Sequence, residues 1–143
     1  MSTSTKSNIG LFLARIPLGL LFLLAGYMKV VKIGVGTFAA DSMKHLPVWM
    51  PQELGKVYLY ALPFVEFAVG LFLIVGLLAR TSAFVASLIL VSILIAMGLI
   101  EPGKPFATNV ILLGLALLLS LLGAGDASID KVMQRKKSKP QAG

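Results

Sequence analysis

Long apolar runs separated by short polar interruptions dominate this chain, and their lengths predict its elements. Four runs stand out: about Ile9 to Val31, about Val57 to Leu78, about Thr81 to Ile100 and about Phe106 to Leu122. Each holds at least 17 residues, and at about 1.5 Å per residue such a helix approaches the roughly 30 Å of a bilayer's hydrocarbon core. No ten-residue alternation suggests a barrel, and a backbone in lipid must close its own hydrogen bonds. The expected fold is therefore all-α, an integral membrane four-helix bundle forming one domain over residues 1–143.

The interruptions differ in length. The second and third runs are expected to join at Ala79–Ser82, and the third and fourth at Glu101–Pro105; links this short make neighbours antiparallel. The loop over residues 32–56 is far longer. Within it Thr37–Leu46 predicts a short interfacial helix with Phe38, Met43 and Leu46 toward lipid. Pro47 and Pro51 frame Trp49, a residue type that favours the headgroup level. The loop reads as a lid or anchor on the membrane.

Composition agrees with the pattern. The chain is 57% hydrophobic and 13% charged, about half the charge of an ordinary soluble domain, with a mean hydropathy of +0.92. The net charge of +7 does not point to nucleic acid, because five of the 13 basic residues fall in the last thirteen positions, where a cytoplasmic tail (residues 126–143) would meet anionic headgroups. Lys6, Arg80 and that tail on one side, against Lys32, Lys44, Lys56 and Lys104 on the other, place both termini in the cytoplasm by the positive-inside rule. A multi-pass protein of the cell's inner (plasma) membrane is expected. The first apolar run is too long for the core of a cleaved signal and reads as a retained span. With no cysteine and one histidine, His45, no metal or haem site is expected on this chain alone.

Few polar residues remain inside the runs, and they are the candidate site: Arg15, Lys29, Glu66 and Asn109. Glu66 interrupts the apolar stretch Tyr60–Arg80. A central acidic residue costs roughly 3 kcal/mol to insert, which the surrounding Leu, Ile, Val and Phe can offset. Such a residue needs a partner, a cavity or a proton. Counting inward from the expected span ends, Arg15 and Glu66 differ in depth by roughly 9 Å, within an arginine's reach; Lys29 approaches from the other side across a similar gap. The expected pair is Arg15–Glu66, with snorkelling to the surface as the alternative for Arg15 and the favoured reading for Lys29. Glu66 is thus either a structural partner fixing two helices or a proton-accepting group and polar handle for a quinone carbonyl or small acid. Pro17 and Pro63 each remove a backbone bond. Ala79, Ala83 and Ser87 make a small-residue stripe for packing inside the bundle or between copies in a homo-oligomer. Asn109 reads as interhelical glue, and Asp126 or Ser128 as a cap on a short surface helix.

In order, these residues form a skeleton: Arg15, Pro17 and Gly19, then Gly26 and Lys29; Thr37, Phe38 and Ala39, then Leu46 and Pro47; Glu66, Gly70, Gly76 and Arg80; and Gly123 through Asp130. It resembles the DoxX family of small four-helix membrane proteins over nearly the whole chain. Ala124 stands where that family often has Pro, and His45 where a Gly often precedes Leu-Pro; both departures touch turns. The resemblance implies an accessory membrane subunit of a quinone-linked redox system, acting with a redox partner protein in the lipid bilayer. The chain carries no phosphate loop, no nucleophile with a paired base and no redox centre of its own, so no self-sufficient enzyme and no cofactor of its own are expected; quinone is the cofactor that the resemblance allows. A small-molecule or proton transporter or permeability factor, and a non-catalytic scaffold, are the alternatives.

Overall fold

In a computed structural model, the backbone is described for residues 3–100 and 107–123, and side chains for 9–96 and 107–123. The Glu101–Pro105 link, Lys104 and the tail with Asp126 and Ser128 lie outside the described residues. The described chain is helical: α1 (Thr3–Tyr27) passes into a π-helical turn (Met28–Ile33), followed by α2 (Val35–Met43), α3 (Gln52–Val75), α4 (Ala79–Ile100) and α5 (Ala107–Leu122). Three stretches, Ile9–Ile33, Gln52–Val75 and Ala79–Ala96, are long and apolar enough to cross a membrane; Ala107–Leu122 is apolar but shorter. Leu13, Leu24, Phe64, Leu88, Ile111 and Leu121 stand exposed on the outside. Small residues fill much of the inside: Ala79, Ala83, Ser82, Ala86, Ser87 and Ala116 are buried. That inversion of the soluble pattern suits lipid, where close packing rather than the hydrophobic effect joins helices. The stripe Ala79–Ala83–Ser87 therefore faces inward, with the Ser87 hydroxyl donating to the Ala83 carbonyl.

α3 packs mainly on α1, α4 mainly on α5, with α3–α4 and α1–α5 completing the contacts. Between them lies one cluster that includes Leu18, Phe22, Leu62, Val69, Leu73, Leu90 and Leu119. The α1–α3 seam is close enough to depend on glycine. A β-carbon on Gly26 would lie 2.5 Å from the Phe67 nitrogen and 2.7 Å from the Pro63 carbonyl oxygen; one on Gly70 would lie 2.7 Å from the Gly19 oxygen and run into the Leu23 nitrogen. Both helices run on through their prolines, Pro17 and Pro63.

Two boundaries differ from expectation. The turn between α3 and α4 is Gly76–Leu78 rather than Ala79–Ser82, because Gly76 takes a left-handed conformation (φ 75°) and the N–H groups of Gly76 and Leu77 both close on the Phe72 carbonyl. That frees Ala79 to begin the next helix. The long loop is also shorter than its sequence suggests, since α1 continues as a π-turn to Ile33 and α3 starts at Gln52 after Pro51. A short helix forms over Val35–Met43 rather than Thr37–Leu46, and Phe38 and Leu46 turn toward the protein: Phe38 packs against the core cluster, and Leu46, in the turn beyond the helix, sits over Gly55 of α3. Ala39 on the same helix is fully buried. α2 is held down as a cover, its apolar side spent on the protein.

Candidate functional site

The seam's register decides which cation meets Glu66. Gly26 lies against Phe67, Leu23 against Gly70 and Gly19 against Ile74, so each step along α1 is a step back along α3. Extended by the same rule, position 29 lies opposite 64 and position 15 opposite 78. Glu66 is thus two residues from the level of Lys29, about 3 Å of rise, and twelve from that of Arg15, about 18 Å. The Lys29 Nζ donates to both carboxylate oxygens of Glu66, at 2.7 Å to Oε1 and 2.6 Å to Oε2.

The expected Arg15–Glu66 pair is therefore replaced by Lys29–Glu66, and Lys29 does not snorkel. The sequence estimate aligned the apolar ends of the two runs, whereas the glycine contacts slide α3 by about six residues. Arg15 does not reach the surface either: it is 1% exposed, with its guanidinium 5.3 Å from the centre of the Phe12 ring. Asn109 is half-buried near the start of α5 and is not among the residues lining the cavity described next. Of the four candidates, the fold brings two together.

A cavity of about 470 Å³ opens beside this ion pair, between α3 and α4 and under α2 with the segment that follows it. Its volume falls within the range of small-molecule sites. Lys29 lines it directly and is 19% exposed, while Glu66, at 2%, stands behind. Phe38 reaches in from α2, its ring centre 4.9 Å from the Lys29 Nζ, a cation–π distance. Leu59, Leu62 and Ile93 supply apolar wall, and Ser42, His45 and Trp49 belong to the covering side. On the α3–α4 wall the Tyr58 and Ser92 hydroxyls are hydrogen-bonded to each other. Ser92 also donates to the Ile89 carbonyl, using its one proton, so Tyr58 is the donor to Ser92. Its oxygen keeps lone pairs for a guest. Lys29, with two of its three protons on Glu66, keeps one donor.

Sequence reasoning missed Tyr58, Ser92 and the covering role of Phe38. One signal was present: Tyr58, Leu62 and Glu66 recur at i, i+4, i+8, which puts the hydroxyl on the carboxylate's side of α3. A second was the stripe Arg15–Phe22–Lys29, seven residues apart like Gly19 and Gly26, which puts both cations on the buried seam. The π-turn that holds Lys29 had no sequence signal, although such turns recur at functional sites.

These features define a helical membrane protein with an intramembrane ion pair beside a covered apolar cavity. The family model that matches is DoxX, over residues 10–100, and the chain belongs to the DoxX family. The matched region holds Lys29, Glu66, Tyr58, Ser92 and the whole cover. No curated protein and no solved structure matches the chain.

Proposed function

We propose that this protein is an accessory, membrane-embedded subunit of a quinone-linked redox system, and that its cavity receives a quinone headgroup. The observation that carries the reading is one apolar cavity with the Lys29 ammonium as donor to a quinone carbonyl and the Tyr58 oxygen as acceptor for the hydroxyl of its reduced quinol form, beside aromatic Phe38 and Trp49. The residues fit such a group. Flat aromatic side chains suit a planar ring, Lys29 and His45 can hydrogen-bond carbonyl oxygens, and the apolar walls suit a lipid-soluble tail. When bound, a quinone would supply a two-electron carrier. The chain itself binds, orients and shields it, and the electrons belong to a partner protein, since the sequence has no cysteine and one histidine.

In this reading α5 is the fourth span, and the bundle lies in the inner (plasma) membrane with both termini cytoplasmic. The basic tail supports that orientation. A reporter active only in the cytoplasm works when fused after Gly143; activity at Gly55 instead overturns the topology.

The test of function is co-purification in mild detergent. A redox partner protein and extractable quinone accompany the wild-type chain, and Tyr58→Phe weakens retention of the reduced quinol form, whose hydroxyl can donate to the Tyr58 oxygen. Recovery of the chain alone, without quinone, removes the support for this reading and leaves transport or scaffolding by the same bundle.

A further inference from the structure

Lys29 is the only Lys, Arg, Asp or Glu among the described residues lining the cavity. A lone ammonium in an apolar cavity is ordinarily an anion site, fitted to a fatty acid or an acidic lipid head. Here its charge is already met. Both oxygens of Glu66 hold it, from a position behind the wall and almost without exposure. An anionic guest that takes the remaining Lys29 proton lies close to the negative charge of the Glu66 carboxylate, and one that takes more must displace that carboxylate from Lys29. A neutral guest accepts the remaining Lys29 proton without either cost.

We infer that Glu66 is a specificity-determining residue acting through Lys29: it sets the cavity to neutral lipid-soluble molecules bearing a hydrogen-bonding oxygen and excludes anionic amphiphiles. This rests on the reading of the cavity as a ligand site and narrows its ligand by charge. It also assigns Glu66 a role that a purely structural pair would not have. Removing the Glu66 charge while keeping its shape leaves Lys29 as a free cation facing the cavity, and so turns a neutral site into a carboxylate site.

Trp49 lines the cavity and is the chain's single tryptophan, so quenching of its fluorescence reports occupancy. The protein in lipid nanodiscs is titrated with dibromostearic acid, at a pH high enough to ionise it, and with its methyl ester. The two probes share chain and quencher and differ in charge. In the wild type the ester quenches saturably at about tenfold lower mole fraction than the acid, the scale of one charge-assisted hydrogen bond. In Glu66→Gln the acid gains well over tenfold and overtakes the ester. In the double variant Lys29→Gln, Glu66→Gln that gain disappears.

An acid-to-ester ratio unchanged between wild type and Glu66→Gln, with saturable quenching in both, overturns the inference and leaves the site standing. Saturable ester binding that a decyl-substituted benzoquinone does not compete away removes the quinone and leaves charge selection standing. Absence of saturable quenching by all three probes overturns both. Should Glu66→Gln fail to fold, the wild type decides alone: acid bound as well as ester sinks the inference.

Discussion

The two faces of α3 are built in opposite ways. Toward α1 it presents Pro63, Phe67 and Gly70 to Gly26, Leu23 and Gly19, with backbone against backbone and no room for a β-carbon at Gly26 or Gly70. Toward α4 it presents Tyr58, Leu59 and Leu62, and at the end away from the Gly76–Leu78 turn the two helices leave a cavity between them. In lipid, helices gain little from burying apolar surface against each other, so association depends on close contact and on polar links. The glycine seam takes most of the close contact that α3 makes. The opposite face can then stay open, tied by the Tyr58–Ser92 hydrogen bond and covered by α2. Lys29–Glu66 sits where the two regimes meet, joining the seam and lining the cavity.

That contrast can be broken at its junction first. Lys29→Leu and Glu66→Leu each leave a buried charge without its counterion, which typically costs about 3 to 5 kcal/mol, whereas replacing both can be nearly neutral. Each single change lowers the thermal midpoint in detergent, and the double change recovers much of the loss. Arg15→Leu combined with Glu66→Leu adds instead, since about 18 Å of helix separates their levels. Recovery in the Arg15 double variant, and none in the Lys29 one, would reverse the pairing.

The seam itself is the next target. Gly26→Ala and Gly70→Ala push a β-carbon into backbone atoms that have no rotamer to give, and each costs about 3 kcal/mol. Gly55→Ala meets a Leu46 methyl at the end of a flexible side chain, and costs about 1 kcal/mol or less. Gly114→Ala, with nothing within 4 Å, leaves the midpoint where it is to within about 0.5 kcal/mol. Equal gains at all four, the sign that helix propensity alone would give, would mean that closeness does not govern these positions.

The smallest effect on stability belongs to the open face. Tyr58→Phe removes the link to Ser92 at a cost of about 1 kcal/mol or less, yet lowers severalfold the affinity of the cavity for the reduced, hydroquinone form of a decyl-substituted benzoquinone, whose hydroxyl can donate to the Tyr58 oxygen, read by its displacement of the quenching ester from Trp49. A variant that loses stability but not affinity would assign Tyr58 to packing.

Much of the fold was legible because it follows from composition along the chain. Apolar runs of sufficient length must be helices in lipid, and residues of the type of Glu66 within them must be satisfied, whatever their neighbours. The stripe of Ala79, Ala83 and Ser87 announced a packing face by spacing alone, and family membership was readable in the ordered set from Arg15 to Arg80. The partner of Glu66 was not readable from span ends, because register depends on where Gly19, Gly26 and Gly70 let two backbones touch. A shift of about six residues is invisible in hydropathy and moves a side chain's level by about 9 Å. For the same reason α2 was recognisable as an amphipathic helix while its direction was not: period and composition say that Phe38 and Leu46 share an apolar side, and only the packed neighbours say whether that side meets lipid or closes a cavity. Local chemistry determined the elements and the polar groups that need partners; the tertiary structure decided which groups met, since depth and facing are properties of helix pairs.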